Sequence, residues 1–278
     1  MESLDRLGWT AGIAFEAFGL RLGVRVTDVG VLSRVEACLP HGARVVDEAE
    51  VDHLWSWIVG DAALGRKVKK FHLLYSGNGQ VERTLDLNAV VETLAQQTQM
   101  LMAEHARGFV FVHAGAVELD GKVMMFPGRS FSGKSTLAAA LVKAGARYFS
   151  DEYAVIDPNG LVHPYARPLA LRTGRELHGT PTPVEMLGGA AATEARPVGW
   201  VVSTTYEPGA KFSPTRVSPG RGALEMLANT VAARSHTERA LEVLEKVAVS
   251  AVCLTGPRGD AGDAAQVLKQ VASENGTR

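Results

Sequence analysis

The sequence predicts an α/β protein of α+β, mixed-sheet character, with a small N-terminal α+β unit over residues 1–106 and a larger α/β unit over residues 107–278. Three observations predict it. The first hundred residues combine short strand-like runs with one long helical stretch. From Gly108 the texture changes to closely spaced apolar strands joined by Asp-Gly and Asp-Pro-Asn-Gly turns. Segments with helical periodicity then alternate with those strands.

In the first unit, Leu20, Leu22, Val24 and Val26 are interleaved with Arg21, Gly23 and Arg25, so Ile13–Val26 contains a half-buried strand. Val29–Cys38 reads as a short helix. Val68–Tyr75 reads as another strand, with Gly77-Asn78-Gly79 as the turn after it. Leu87–Ala106 is the longest helical stretch, with Leu94, Met100 and Leu101 as apolar surface.

In the second unit, Phe109–His113 reads as a short apolar strand. Ala114–Leu119 and Lys122–Pro127 flank Asp120-Gly121 as a hairpin. A helix is expected over Lys134–Ala144, with Leu137, Ala140, Leu141 and Ala144 on one face and Gly145 as its stop. Arg147–Phe149, Tyr153–Ile156 and Leu161–His163 read as strands, the first expected to run beside the strand that precedes Gly128, and Arg167–Arg172 as a further one. Trp200–Thr204 is another strand, followed by a Pro-, Gly- and Ser-rich loop over Glu207–Gly222. Gly222–Val249 is mostly helical, Ala251–Thr255 a final strand and Asp263–Ala272 a final helix.

Composition limits the function classes. With 278 residues, 46% hydrophobic and 21% charged, the chain can bury a core and is not disordered. A formal net charge of -1 points to neither nucleic acid nor an anionic membrane. No apolar run approaches the ~18 residues of a membrane span. Asp5, Arg6 and Glu16 do not fit a signal peptide. Cys38 and Cys253 lack metal-ligand spacing and read as small buried residues, so a reducing cytoplasm is the expected location.

The chemistry concentrates in one loop. Gly128, Arg129, Ser130, Phe131, Ser132, Gly133, Lys134, Ser135 and Thr136 match G-x-x-x-x-G-K-[ST] at every fixed position, between an expected strand and an expected helix. This is the phosphate-binding P-loop, or Walker A, pattern. Successive backbone N–H groups wrap a phosphate, and the helix N-terminus adds favourable dipole charge. Lys134 has the reach for β- and γ-oxygens, and the Ser135 hydroxyl suits Mg²⁺. A nucleotide, ATP or another nucleoside triphosphate, is the expected cofactor, with Mg²⁺.

The stretch Val112–Arg172 resembles HPr kinase/phosphorylase, and more closely its divergent relatives, whose loop reads P-G-x-S-F-x-G-K-S-T and whose next strand ends Y-x-S-D-E-Y-A. Here these are Pro127–Thr136 and Tyr148–Ala154. The family's His-[GA] pair corresponds to His113-Ala114, fifteen residues before Gly128, and its acidic pair to Asp151-Glu152. The resemblance implies a P-loop kinase core of the HPr kinase C-terminal-domain type. It also implies Asp151 as general base, Glu152 as a direct or water-mediated support for Mg²⁺, and His113 beside Asp151, holding or tuning its carboxylate. A ring-shaped homo-oligomer is a further implication. The chain departs from the family at Phe131, where glycine is usual, and at Glu152, where aspartate is usual. It also lacks a recognisable phosphorylase signature between Arg172 and Pro208.

Taken without the resemblance, Asp151-Glu152 suits a solvated turn or helix cap as well as catalysis. Arg172 suits phosphate stabilisation or a surface salt bridge. Lys211 and Arg216 suit acceptor or nucleotide contacts or a solvated loop. The leading expectation is an Mg²⁺-dependent kinase acting on a hydroxyl of a peptide, protein or small molecule. The alternatives are a non-catalytic nucleotide-binding module and a simple NTPase.

Overall fold

The computed structural model describes residues 2–47, 50–60, 70–171 and 179–275. Its chain divides into two compact units, Met1–Arg107 and Gly108–Arg278. Arg172 and the expected start of a strand at Val68 lie outside the described residues. The fold is mixed α/β in both units.

The first unit runs α1 (Glu2–Asp5), β1 (Ala11–Ala17), β2 (Leu20–Val26), α2 (Leu32–Ala37), β3 (Arg44–Val46), β4 (His53–Ile58), β5 (His72–Ser76), β6 (Gly79–Thr84) and α3 (Leu87–His105). The strands form one sheet in the order β3-β1-β2-β4-β5-β6. Among the described strands of this sheet, only β2 and β4 pair in parallel. β2 is the strand expected within Ile13–Val26, and β1 before it is its antiparallel partner. Phe18 and Gly19, with φ of 49° and 76°, make a two-residue turn between them. Positive φ at both central residues gives the tight turn whose twist matches a hairpin. The register pairs Val24 with Trp55 and Val26 with Trp57, which faces Leu74 on the next strand. All five are buried, and α3 packs beside β5 and β6 with Val90, Leu94 and Met102 also buried. Asp86 caps α3 by accepting from the Asn88 N–H at 2.9 Å.

The second unit runs β7 (Val110–Leu119), β8 (Lys122–Pro127), α4 (Lys134–Lys143), β9 (Arg147–Ser150), β10 (Tyr153–Ile156), β11 (Leu161–His163), β12 (Leu169–Leu171) and β13 (Thr180–Thr182). It continues through β14 (Arg196–Tyr206), β15 (Thr215–Arg216), α5 (Pro219–Leu227), α6 (Thr237–Ser250), β16 (Val252–Arg258) and α7 (Ala261–Asn275). The main sheet has the order β11-β10-β7-β8-β14-β16-β15, and it curls so that β11 also meets β14. β12 and β13 pair separately.

β7 and β8 are the spine of this unit. The two strands expected over Phe109–Leu119 are one, because no turn residue interrupts them. Asp120 and Gly121, with φ of 50° and 76°, make the hairpin turn. Val112, Ala114, Ala116, Val123 and Met125 face a core shared with α5 and α6. Val117, Leu119, Met124 and Phe126 face a second core shared with α4 and α7. Burial on both faces explains why these strands read as continuous apolar runs. It also buries Ala138, Ala139 and Val142 of α4, beyond the single face expected there.

One topological expectation is corrected. β9, which leads to Asp151, was expected to run beside the loop strand β8. It pairs instead with β7, on the side away from β8. The other neighbour of β8 is β14, in parallel. Two smaller corrections concern the C-terminal half. α5 begins at Pro219, inside the expected loop, with Ser218 accepting from the Arg221 N–H at 3.3 Å as its cap. Cys38 is only half-buried, whereas Cys253 is buried. Among the described residues, no helix is long and apolar enough to cross a membrane.

Candidate active site

β8 delivers the chain into the loop of residues 128–136, and the loop's geometry explains its glycines. A Cβ on Gly128 would sit 2.7 Å from Ser132 Oγ. Gly133 has φ of +83°, and a Cβ there would collide with the Arg258 guanidinium. Phe131 also has a left-handed backbone, with φ of 68°. That conformation costs an L-residue about 1 kcal/mol, a cost that glycine would not incur. Its ring is 69% exposed.

Lys134 opens α4 and is buried. Its Nζ donates to the carbonyls of Gly128 and Arg129, both at 2.9 Å, so the ammonium is folded back over its own loop. The first bond into the helix runs from the Leu137 N–H to the Gly133 carbonyl at 3.0 Å. The amides of Lys134, Ser135 and Thr136 precede it, at the positive end of the helix dipole. Such a group of amides favours an anion.

Asp151 and Glu152 occupy the turn between β9 and β10. Ser150 Oγ fixes that turn by accepting from the Glu152 and Tyr153 N–H groups, each at 3.1 Å. The buried Asp151 carboxylate accepts from the Tyr148 hydroxyl at 2.7 Å through Oδ1, and from the Ala170 N–H at 3.2 Å through Oδ2. Burial, reinforced by the charge on Asp151, pushes the Tyr148 phenol far above its ordinary value, so it stays a donor.

His113 was expected beside Asp151. The structure places it on the other carboxylate, with Nε2 3.3 Å from Glu152 Oε1. Burial alone would raise the Glu152 carboxyl. The hydrogen bond and charge of His113, joined by Lys134 and Arg167, outweigh burial and hold it below its ordinary value. The sign follows from linkage. Glu152 contributes stability above its unfolded-state value of about 4.5 and loses it as pH falls through its lower folded-state value. The stability difference between wild type and Glu152→Gln is therefore expected to be full at neutral pH and to fade as the medium is acidified below about 4.5, as measured by chemical unfolding at stepped pH.

β7 joins the two halves of the site through its backbone. The Gly128 N–H donates to the His113 carbonyl at 3.1 Å, and the Ala114 N–H donates to the Glu152 carbonyl at 3.2 Å. The loop and the acidic turn are thus tied to adjacent residues of one strand.

A cavity of about 500 Å³ opens between them. On one side it is lined by Ser130, Phe131, Gly133, Lys134, Ser135 and Thr136, and on another by His113, Asp151 and Glu152. Gly128, Arg129 and Ser132 shape the loop without lining the cavity, and Lys211 and Arg216 are not on its wall. Ser135 and Glu152 are both hard oxygen donors facing it. Among the described residues, no group of three or more His, Cys, Asp and Glu could hold a metal ion.

The remaining wall holds residues that sequence reasoning missed: Tyr206, Arg258 and Asp260. Arg258 ends β16 and is 2% exposed. Its guanidinium donates to the carbonyls of Ser132 at 3.2 Å and Gly133 at 2.9 Å, to Gly259 O at 3.4 Å and to Thr204 Oγ1 at 3.3 Å. It braces the loop from the end of β16, two strands away from β8. No motif marks it, because its partners in the loop are main-chain carbonyls distant in sequence. Arg258→Met keeps the length and removes the donors. It is expected to lower unfolding stability by about 2 kcal/mol, measured in denaturant, because buried carbonyls lose a charged partner.

No family model and no curated protein matches the chain. Among solved structures, it is similar to the HPr(Ser) kinase/phosphatase from Coxiella burnetii, with a TM-score of 0.33 and 14% identity. The match covers 59% of this chain and 95% of that one. This is a distant likeness and carries no functional argument.

Proposed function

We propose that the chain is a nucleoside-triphosphate-dependent phosphotransferase that moves a γ-phosphoryl group to a hydroxyl. The observation that carries this reading is that the glycine-rich loop and the Asp151 carboxylate open onto one cavity. A nucleotide-binding loop alone needs no carboxylate there, whereas transfer to a hydroxyl needs a proton acceptor beside the phosphate.

Each residue then has a task. The amides at the start of α4 hold phosphate oxygens. The Lys134 ammonium exchanges the Gly128 and Arg129 carbonyls for phosphate oxygens, trading neutral partners for charged ones. Asp151 takes the acceptor hydroxyl's proton. The acceptor oxygen bonds to the γ-phosphorus as the bridging oxygen leaves with the nucleoside diphosphate. Tyr148 and the Ala170 amide hold the carboxylate in place while it does so. Ser135 and Glu152 fit Mg²⁺, which takes few protein oxygens alongside phosphate and water. When bound, the ion would offset charge on the phosphate oxygens.

The test is incubation of the protein with γ-labelled ATP and Mg²⁺, with and without host-cell extract. Label on a discrete acceptor is the expected result. Release of free phosphate alone would make the chain an NTPase, and tight binding without turnover would make it a regulatory module.

A further inference from the structure

β8, β14 and β16 run parallel, so their C-terminal ends arrive on one side of the sheet. β8 delivers the loop there, β14 delivers Tyr206, and β16 delivers Arg258 followed by Asp260, all onto the same cavity. The carboxyl ends of parallel strands are where open α/β sheets take their ligands. The two flanks of this cavity differ in chemistry. The β9–β10 flank carries two carboxylates and a histidine. The β14–β16 flank carries an aromatic ring that is 57% exposed and a helix-capping aspartate.

We propose that this second flank is a nucleoside subsite, in which Tyr206 stacks on the base and Asp260 accepts from a ribose hydroxyl. The proposal rests on the phosphotransferase reading, which puts the γ-phosphate toward Asp151. With the β-phosphate in the loop, the α-phosphate and nucleoside then extend away from the acidic flank, where two carboxylates repel further phosphate charge. What they meet is Tyr206 and Asp260. The Tyr206 ring has the Arg258 guanidinium carbon 5.9 Å from its centroid, and that guanidinium is itself fixed by its bonds to the loop. The ring's place is therefore set relative to the phosphate loop. Asp260 accepts from the Gly262 and Asp263 N–H groups at 2.7 and 3.2 Å, both through Oδ1. Oδ2 makes no hydrogen bond among the described residues, which leaves it for a hydroxyl donor.

The experiment separates nucleoside from phosphate. Calorimetry on the full chain measures the affinities of Mg²⁺-ATP and Mg²⁺-tripolyphosphate for wild type, Tyr206→Ala, Tyr206→Trp and Phe131→Ala. Tyr206→Ala is expected to weaken ATP about ten-fold, within the range for loss of one base–aromatic stack, and to leave tripolyphosphate nearly unchanged. Tyr206→Trp should restore ATP binding. Removing the ribose hydroxyls, as in 2′,3′-dideoxy-ATP, should weaken binding to wild type about three-fold but make no difference to Asp260→Ser, which keeps a capping oxygen for α7. Unchanged ATP binding in Tyr206→Ala, or equal loss of ATP and tripolyphosphate, overturns the subsite. A selective loss of ATP in Phe131→Ala instead would move the stacking ring to the loop and also overturn it. A wild type that binds neither ligand sinks the phosphotransferase reading itself.

Discussion

Asp151→Asn is expected to slow phosphoryl transfer by roughly 10²- to 10⁴-fold, the range of general-base catalysis, while nucleotide affinity stays close to wild type. The substitution keeps the size of the side chain and removes its proton-accepting charge. The loop amides and Lys134 are untouched, so binding persists. A structural effect has to be separated from the chemical one, because both carboxylate oxygens accept hydrogen bonds, from Tyr148 and from the Ala170 N–H. An asparagine can accept only one of the two and presents its own N–H₂ to the other. Tyr148→Phe supplies the control. It removes one donor, leaves the carboxylate, and should cost about 1 kcal/mol of stability with a much smaller loss of transfer than Asp151→Asn. Single-turnover transfer, binding and unfolding measured on the same three proteins check this. Wild-type transfer by a folded Asp151→Asn would remove Asp151 as the base.

Lys134→Ala is expected to lower turnover by about 10²- to 10³-fold, corresponding to the ~3–4 kcal/mol typical of losing one preorganised transition-state contact. The bound phosphate loses its cation, while in the free protein the Gly128 and Arg129 carbonyls lose the ammonium that links them. Nucleotide affinity should fall as well, which distinguishes Lys134 from Asp151. Circular dichroism should show the fold retained, since β8 packs into cores on both faces of the sheet and α4 into one of them. Unchanged turnover in a folded Lys134→Ala protein would remove the phosphate-transfer reading altogether.

The local geometry of residues 128–136 was legible because their fixed positions answer local demands. Gly128 and Gly133 leave no room for a Cβ, and Lys134 must follow them at the helix start to reach back over the loop. His113 was singled out only by the resemblance, and the β7–β8 hairpin does bring it back to the loop's first residue. Its partner was not legible. Whether a side chain on β7 meets Asp151 or Glu152 depends on how the β9–β10 turn is presented, and Ser150 sets that locally. Strand order was also hidden, since β9 follows α4 in sequence yet pairs with β7 rather than β8. Arg258, Tyr206 and Asp260 left no signal, because strands far along the chain bring them to the cavity. In the first unit, β4 went unread although its Trp55 and Trp57 alternate with Ser56. Its pairing with β2 is parallel and non-local, and no turn chemistry announces it.

The two ties from β7, to Gly128 and to the acidic turn, are main-chain hydrogen bonds. They survive any change of side chain that keeps an amide N–H. The reach from the glycine-rich loop to residues 151 and 152 therefore belongs to the scaffold, while the proposed reaction belongs to the residues mounted on it. A lineage could exchange the acid at either position, or the histidine facing it, and inherit the same span unaltered. Resetting that span would take an insertion in the β7–β8 ribbon or in the turn at Ser150. In this architecture, changes of chemistry come by substitution and changes of reach by insertion.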